Sequence, residues 1–112
     1  MFDTSTWDKL LQERAADREQ MRQRTMAQAV ETLRIYFATR KVKAVYLTGS
    51  ILEEGKFLSC SDIDVAVEGL PEDEYLITLA DLGYLLQRDV DLIEIEKCSF
   101  REHILHKGLR VL

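Results

Sequence analysis

The chain has 112 residues, 46% of them apolar and 31% charged, with a formal net charge of −5. That length supports one hydrophobic core and excludes a two-domain protein with separate cores, and the composition is that of an ordinary globular chain rather than a disordered one. The charge is uneven: residues 1–43 carry nine Lys/Arg against six Asp/Glu, whereas residues 44–112 carry six against fourteen. The acidic part argues against nonspecific nucleic-acid binding by that surface. No stretch approaches the ~20 consecutive apolar residues of a membrane span, and Met1-Phe-Asp-Thr-Ser5 lacks the basic-then-apolar pattern of a secretory leader. With only Cys60 and Cys98 there is neither a disulfide framework nor a zinc ligand set. A cytoplasmic protein with reduced thiols and no membrane association is expected.

From Thr6 to about Arg40 the chain reads as helix, in one piece or two, because it is rich in Glu, Gln, Arg, Met and Ala and has neither Gly nor Pro. Its later part, with Val30, Leu33, Ile35, Tyr36 and Phe37, is dense enough in apolar residues to face a core. The earlier part has only Trp7, Leu10 and Leu11, and its Arg14/Arg18/Arg22 stripe reads as a solvated face. The expected organisation is therefore a helical extension over residues 1–28 and a domain over residues 29–112. Trp7, Leu10 and Leu11 are the candidates for association with a second copy or a partner helix.

Lys43–Thr48 is a short apolar run typical of a buried strand, and Gly49-Ser50 opens a short helical turn through Glu54 with Gly55 as its stop. Asp62–Val67 is a second strand ending at Gly69. Pro71-Glu-Asp-Glu74 predicts a helix start, with Leu76, Leu79, Leu82 and Leu86 buried and an end near Arg88. Asp89–Ile95 is a third strand, and Ser99-Phe-Arg-Glu102 fits the capping box of a last helix carrying Ile104, Leu105 and Leu109. The fold class is α/β (α+β): a small mixed sheet with helices packed on it.

Chemistry concentrates at Gly49-Ser50 and Asp62-Ile-Asp64. Strand alternation puts Asp62 and Asp64 on one face, about 7 Å apart along the backbone. Carboxylates that close repel unless a cation or proton lies between them. Backbone N–H groups of a Gly-Ser turn suit phosphate, so the expected occupant is a divalent metal carrying a nucleotide. Asp91, between Val90 and Leu92, completes the set if its strand lies beside the second; Asp89 shares its face and competes with it. Three such acids can hold two Mg²⁺ ions through oxygen ligands. Lys56 is the nearest compensating cation. His103 and His106 read as surface positions, and Cys60 as a passive thiol.

Gly49-Ser50, Asp62-Ile-Asp64 and Val90-Asp91-Leu92, at these spacings, together with the closing Phe100-Arg-Glu-His-Ile-Leu-His-Lys-Gly108, resemble the minimal nucleotidyltransferases of the DNA polymerase β superfamily. The resemblance runs from about Val30 to the C-terminus. It implies a polymerase-β-like fold, ATP as donor, Mg²⁺ as cofactor and transfer of AMP to a hydroxyl. It also implies the role of an antitoxin that modifies a HEPN-type ribonuclease partner. Asp62, Asp64 and Asp91 would be the metal-binding and catalytic residues, and Gly49, Ser50 and Lys56 the nucleotide-binding ones. The family commonly places Arg soon after Gly-Ser, whereas this chain has Ile51-Leu-Glu-Glu54. That departure leaves a second reading, a catalytically weak or inactive member acting as a protein-binding module.

Overall fold

A computed structural model describes residues 4–112; Met1–Asp3, where the expected extension begins and the absent leader pattern was read, lie outside the described residues. Thr4–Phe37 form one unbroken helix of 34 residues, α1, about 51 Å long at 1.5 Å per residue. Ala29, Leu33 and Phe37, four apart, face the core and are fully covered, while Met21, Met26, Val30 and Tyr36 pack at its margin. Ile35 is an exception to the core-facing reading: two residues from Leu33, it turns to the opposite side and is 68% exposed. No break marks the helix between residues 28 and 29. Trp7, Leu10 and Leu11 are exposed, and the molecule is 64 Å in its longest dimension, so the first four to five turns of α1 project from the body.

Strands β1 (Ala44–Thr48), β2 (Ile63–Glu68), β3 (Val90–Glu94) and β4 (Leu109–Arg110) form one mixed sheet in the order β3-β2-β1-β4. β1 is antiparallel to β2 and to β4, and β2 is parallel to β3. The parallel pair is joined through helix α2 (Tyr75–Leu86), the crossover that a parallel pairing requires. Val45, Leu47, Ile63, Val65, Val67 and Leu92 point to the α1/α2 side, where Leu82 and Phe57 complete the main core. On the other side Ala44, Tyr46, Ala66 and Ile95 meet Ile104 of the short helix α3 (Arg101–Lys107). Helices thus cover both faces, and α3 covers its face only in part.

Three details depart from the sequence expectation. Pro71 precedes a 3₁₀ turn at Glu72–Glu74, so α2 starts only at Tyr75. Tyr75, four residues before Leu79, takes the inner position and donates its hydroxyl to the Leu92 carbonyl at 2.9 Å, which rotates Leu76 outward to 77% exposure. Thr78, not Leu76, is the additional buried residue. No capping box forms, since α3 is capped at Phe100 without a side-chain bond and ends at Lys107. Gly108 N–H closes on the Ile104 carbonyl at 2.8 Å, and Leu109 then leaves the helix for β4, which the sequence did not disclose; Leu105 and Leu109 stay exposed and Val111 is buried instead.

Candidate functional site

Pairing aligns one row of residues across three strands: Thr48 of β1 stands opposite Asp64 of β2, and Asp64 opposite Asp91 of β3. Alternation fixes the side of this row. Ile63, Val65, Val90 and Leu92 turn to the main core, so Asp64 and Asp91 turn to the α3 side, at the end of the sheet that α3 leaves open. Asp62 precedes β2 by one residue. Asp64 is half-buried, and Asp62 and Asp91 are exposed. Burial, then the negative charge of Asp91, then that of Asp62 hold the Asp64 carboxyl above the usual carboxylate range. Asp64 is therefore the centre of the trio, held under the charges of the other two. Asp89 lies outside the row, beside Ser59, Cys60, Ser61 and Arg88, while its carbonyl accepts the Ile63 N–H at 3.0 Å.

Three adjacent carboxylates are the hard, anionic oxygen donors that Mg²⁺ prefers. Among the described residues no three His, Cys, Asp or Glu side chains already converge on a single point suited to a metal ion. Burial first, and then the charges of Asp91 and Asp62, disfavour the ionised Asp64 carboxyl, and an added cation would offset that penalty. The donor set fits the cation in its chemistry.

Gly49 adopts φ +82°, the left-handed region that glycine enters freely. A Cβ there would overlap the Asp64 carboxylate and lie 3.0 Å from its Cγ. Backbone and carboxylate thus touch, and only glycine permits it. Gly49–Leu52 then form a 3₁₀ turn closed by Glu53 N–H donating to Ser50 O at 3.0 Å. Ile51, in the stretch where the family commonly has Arg, is 1% exposed and belongs to the core. Arg22 of α1 donates to the Ile51 carbonyl at 2.9 Å while paired with Glu19. Arg22 is thus not part of a solvated stripe; it fastens the turn.

Beside Gly49 opens a pocket of about 370 Å³, lined by Thr48, Gly49, Leu52, Glu53, His103 and Lys107. His103 and Lys107, four apart on α3, face the same space. Lys56 is exposed and does not line it; His103 is exposed, as a surface position, and lines the pocket as well. Lys107 is the lysine on this wall, and the sequence reading did not single it out. Its i, i+4 spacing from His103 was the available signal, but nothing local ties α3 to a turn more than fifty residues earlier.

Arg88, immediately after α2 and Gln87 at φ +51°, was also missed. Its Nη1 donates to the carbonyls of Leu58, Ser59 and Ser61 at 3.3, 3.1 and 2.9 Å, and the guanidinium lies 4.6 Å from the centre of the Phe57 ring. It gathers the loop that delivers Asp62 to the sheet. Cys60 of that loop is exposed and, like Cys98, a free thiol.

A family model, Polymerase beta, Nucleotidyltransferase, matches residues 31–112. Among solved structures, the chain is 25% identical to a chain of a toxin–antitoxin structure with AMP-PNP, over 75% of this chain and 70% of that one, with a TM-score of 0.59. Against the toxin–antitoxin MntA–HepT the identity is 21%, covering 75% of this chain and 69% of that chain, with a TM-score of 0.56. A third is the tri-AMPylated Shewanella oneidensis HEPN toxin in complex with MNT antitoxin, at 20% identity over 79% of this chain and 71% of that chain, with a TM-score of 0.56. These are likenesses of fold. No curated protein matches the chain. Among the described residues no helix is long and apolar enough to cross a membrane.

Proposed function

The chain belongs to the polymerase beta nucleotidyltransferase family, and from that membership we propose that it transfers AMP from ATP to a hydroxyl of a partner protein. The partner in this reading is a HEPN-type toxin and the chain its antitoxin, working in the cytoplasm. The observation that carries the reading is the Thr48–Asp64–Asp91 row, with Asp62 alongside and Gly49 pressed against Asp64. A three-carboxylate site touching a Gly-Ser turn suits a metal-bound triphosphate. Solved structures of similar fold support both halves: one contains AMP-PNP, and another a tri-AMPylated HEPN toxin with an MNT antitoxin.

Asp62, Asp64 and Asp91 are the residues that would hold two Mg²⁺ ions, and the chemistry these supply when bound is neutralisation of triphosphate charge and polarisation of the acceptor hydroxyl. Asp91, exposed at the outer edge of the row, takes up the hydroxyl proton as its oxygen bonds to the α-phosphorus. The bond from that phosphorus to the bridging oxygen breaks, and pyrophosphate leaves with the electron pair. Gly49 and Ser50 present backbone N–H groups and a hydroxyl to the phosphates. The projecting part of α1, through Trp7, Leu10 and Leu11, pairs with a second copy.

Incubation with α-labelled ATP, Mg²⁺ and the HEPN-type partner tests the reading. Label moves to the partner with the parent chain and not with Asp62→Asn/Asp64→Asn. A second reading, binding without transfer, is favoured by Glu53 on the pocket wall and by Ile51 in the core, since Gly49–Leu52 carry no cationic side chain of their own. Stable complex formation with no label transferred would establish it.

A further inference from the structure

We propose that Arg22, oriented by Glu19, is a positioning residue for nucleotide binding: from the root of α1 it fixes the Gly49–Leu52 turn without touching the ligand. The inference rests on the transfer reading above and brings into it a part of the chain that family membership does not cover, since the family match begins at residue 31. Arg22 continues the stripe of Met26, Ala29, Leu33 and Phe37 along α1, and at its position the helix meets the turn. Its guanidinium divides between two partners. Nε and Nη2 donate to the two carboxylate oxygens of Glu19, the first at 2.9 Å, and Nη1 donates to the Ile51 carbonyl at 2.9 Å. A guanidinium is a rigid planar fork, so the two bonds to Glu19 set the direction in which Nη1 points. Glu19 is steadied in turn by Gln23 Nε2 at 3.0 Å. With only 12% of its side chain exposed, Arg22 is committed to these partners rather than to solvent.

Ile51 is thereby pinned twice, by its side chain in the core and by its carbonyl on Arg22. In a helical turn the carbonyls point to one end and the amides to the other. A donor fixed on the carbonyl end therefore also sets the direction of the opposite end, where Gly49 and Ser50 lie. Arg22 acts through the turn and not by contact with phosphate, because α1 covers the main-core side of the sheet whereas the carboxylate row faces the α3 side. The same turn of α1 also reaches the second loop of the site. Arg88 Nη2 donates to Met21 Sδ at 3.5 Å, and Arg88 is the residue that gathers Leu58–Ser61 ahead of Asp62. The root of α1 thus backs both loops that build the site, and Arg22 is its contact with the one offered to the nucleotide.

Two measurements on the full chain test this. Hydrogen exchange of the ligand-free protein reads the turn: the Glu53 amide, bonded to the Ser50 carbonyl, should exchange faster in Arg22→Ala and in Glu19→Ala than in the parent. Calorimetric titration in Mg²⁺ with a nonhydrolysable ATP analogue reads the consequence. Arg22→Ala should weaken binding about tenfold, the lower end of what a hydrogen bond from a charged donor contributes. Arg22→Lys, a point donor that cannot serve Glu19 and the carbonyl as a fork, should recover part of the loss. Glu19→Ala separates positioning from charge. It removes a negative charge, so direct attraction between Arg22 and phosphate would tighten binding, whereas loss of positioning weakens it. Arg18→Ala, exposed one turn earlier, should change neither reading, and Met26→Ala, which gives up core packing one turn later, should lower the melting temperature and leave both at the parent's values. Melting curves establish that each variant is folded at the titration temperature. Tighter binding in Glu19→Ala, parental affinity or parental exchange in Arg22→Ala, or an equal change in Met26→Ala overturns the assignment and leaves the transfer reading standing. Failure of the parent chain to bind the ATP analogue at all overturns both.

Discussion

Gly49→Ala asks whether the contact between the turn and Asp64 is what shapes the site. Gly55 supplies the control, because it has nearly the same backbone, φ +83° against +82°, with nothing within 4 Å of an added Cβ. Placing an L-residue in the left-handed region costs about 1–2 kcal/mol, and Gly55→Ala should lose that much and no more. Gly49→Ala carries the same strain and in addition puts a methyl 3.0 Å from Cγ and 3.3 Å from Cβ of Asp64. Pushing a packed group aside costs roughly 1–3 kcal/mol more, for a total of about 2–5 kcal/mol. At about 4 °C per kcal/mol for a domain of this size, the melting temperature should fall about 4–8 °C in Gly55→Ala and about 8–20 °C in Gly49→Ala.

Urea denaturation gives the two free energies, and a Mg²⁺ titration of the melting temperature gives the functional consequence. Gly55→Ala should keep the metal-induced rise of the parent chain, and Gly49→Ala should lose most of it, because Asp64 has been moved. Equal destabilisation of the two variants, with the Mg²⁺ response intact in both, would refute the claim that Gly49 is present to let the backbone touch Asp64.

Asp64→Asn should raise the melting temperature without metal at neutral pH and abolish the Mg²⁺-induced rise. Because the folded state holds the Asp64 proton more tightly than the unfolded chain, its ionisation costs stability as pH climbs from the ordinary aspartate range through the raised folded value. The penalty is absent below that window and complete above it, so the metal-free melting temperatures of the two proteins should converge on acidification. Arg88→Ala, which removes three charged hydrogen bonds to the loop at Leu58–Ser61, should cost about 2–4 kcal/mol and open that loop to proteolysis; Arg88→Lys, with one point donor, should recover only part. Deleting residues 1–18 should leave a folded domain with nearly unchanged melting temperature and a smaller assembled mass by light scattering, since burying the exposed surface of Trp7, Leu10 and Leu11 on both copies contributes roughly 6 kcal/mol to a dimer. Deleting residues 1–24 should instead lower the melting temperature, because it removes Met21 and the Arg22 bond to the Ile51 carbonyl.

What was legible in the sequence was local. Asp62 and Asp64 share a face because a strand repeats every two residues, and Ala29, Leu33 and Phe37 share one because a helix repeats every 3.6. Asp91 is different. Its place opposite Asp64 depends on the register of two strands separated by α2, so the residues offered it only on the condition that those strands are neighbours, and the family resemblance favoured it over Asp89. Where the structure departs from the sequence reading, locality failed in the same way. Lys56 is near Gly49 in sequence, but Lys107 is the lysine that lines the pocket beside it. Leu109 continued a helical apolar pattern but became an edge strand once Gly108 closed the helix. Arg22 fitted a polar stripe with Arg14 and Arg18, and nothing in that spacing indicated a carbonyl twenty-nine residues later.

The same alternation that seals the core also makes the site one-sided. Ile63, Val65 and Val67 of β2 and Val90 and Leu92 of β3 are apolar and committed to α1 and α2, so the positions between them must face α3 or solvent. Toward the centre of the sheet they are Ala66 and Ile93, which α3 and its neighbours cover. At the end they are Asp64 and Asp91, and no helix is long enough to cover them: α3 has seven residues and stops at Gly108. A longer α3 would bury the carboxylates without partners, at a cost of several kcal/mol for each uncompensated charge. The brevity of α3 is therefore part of the site, because it leaves the acids open to a cation while placing His103 and Lys107 at the pocket beside Gly49.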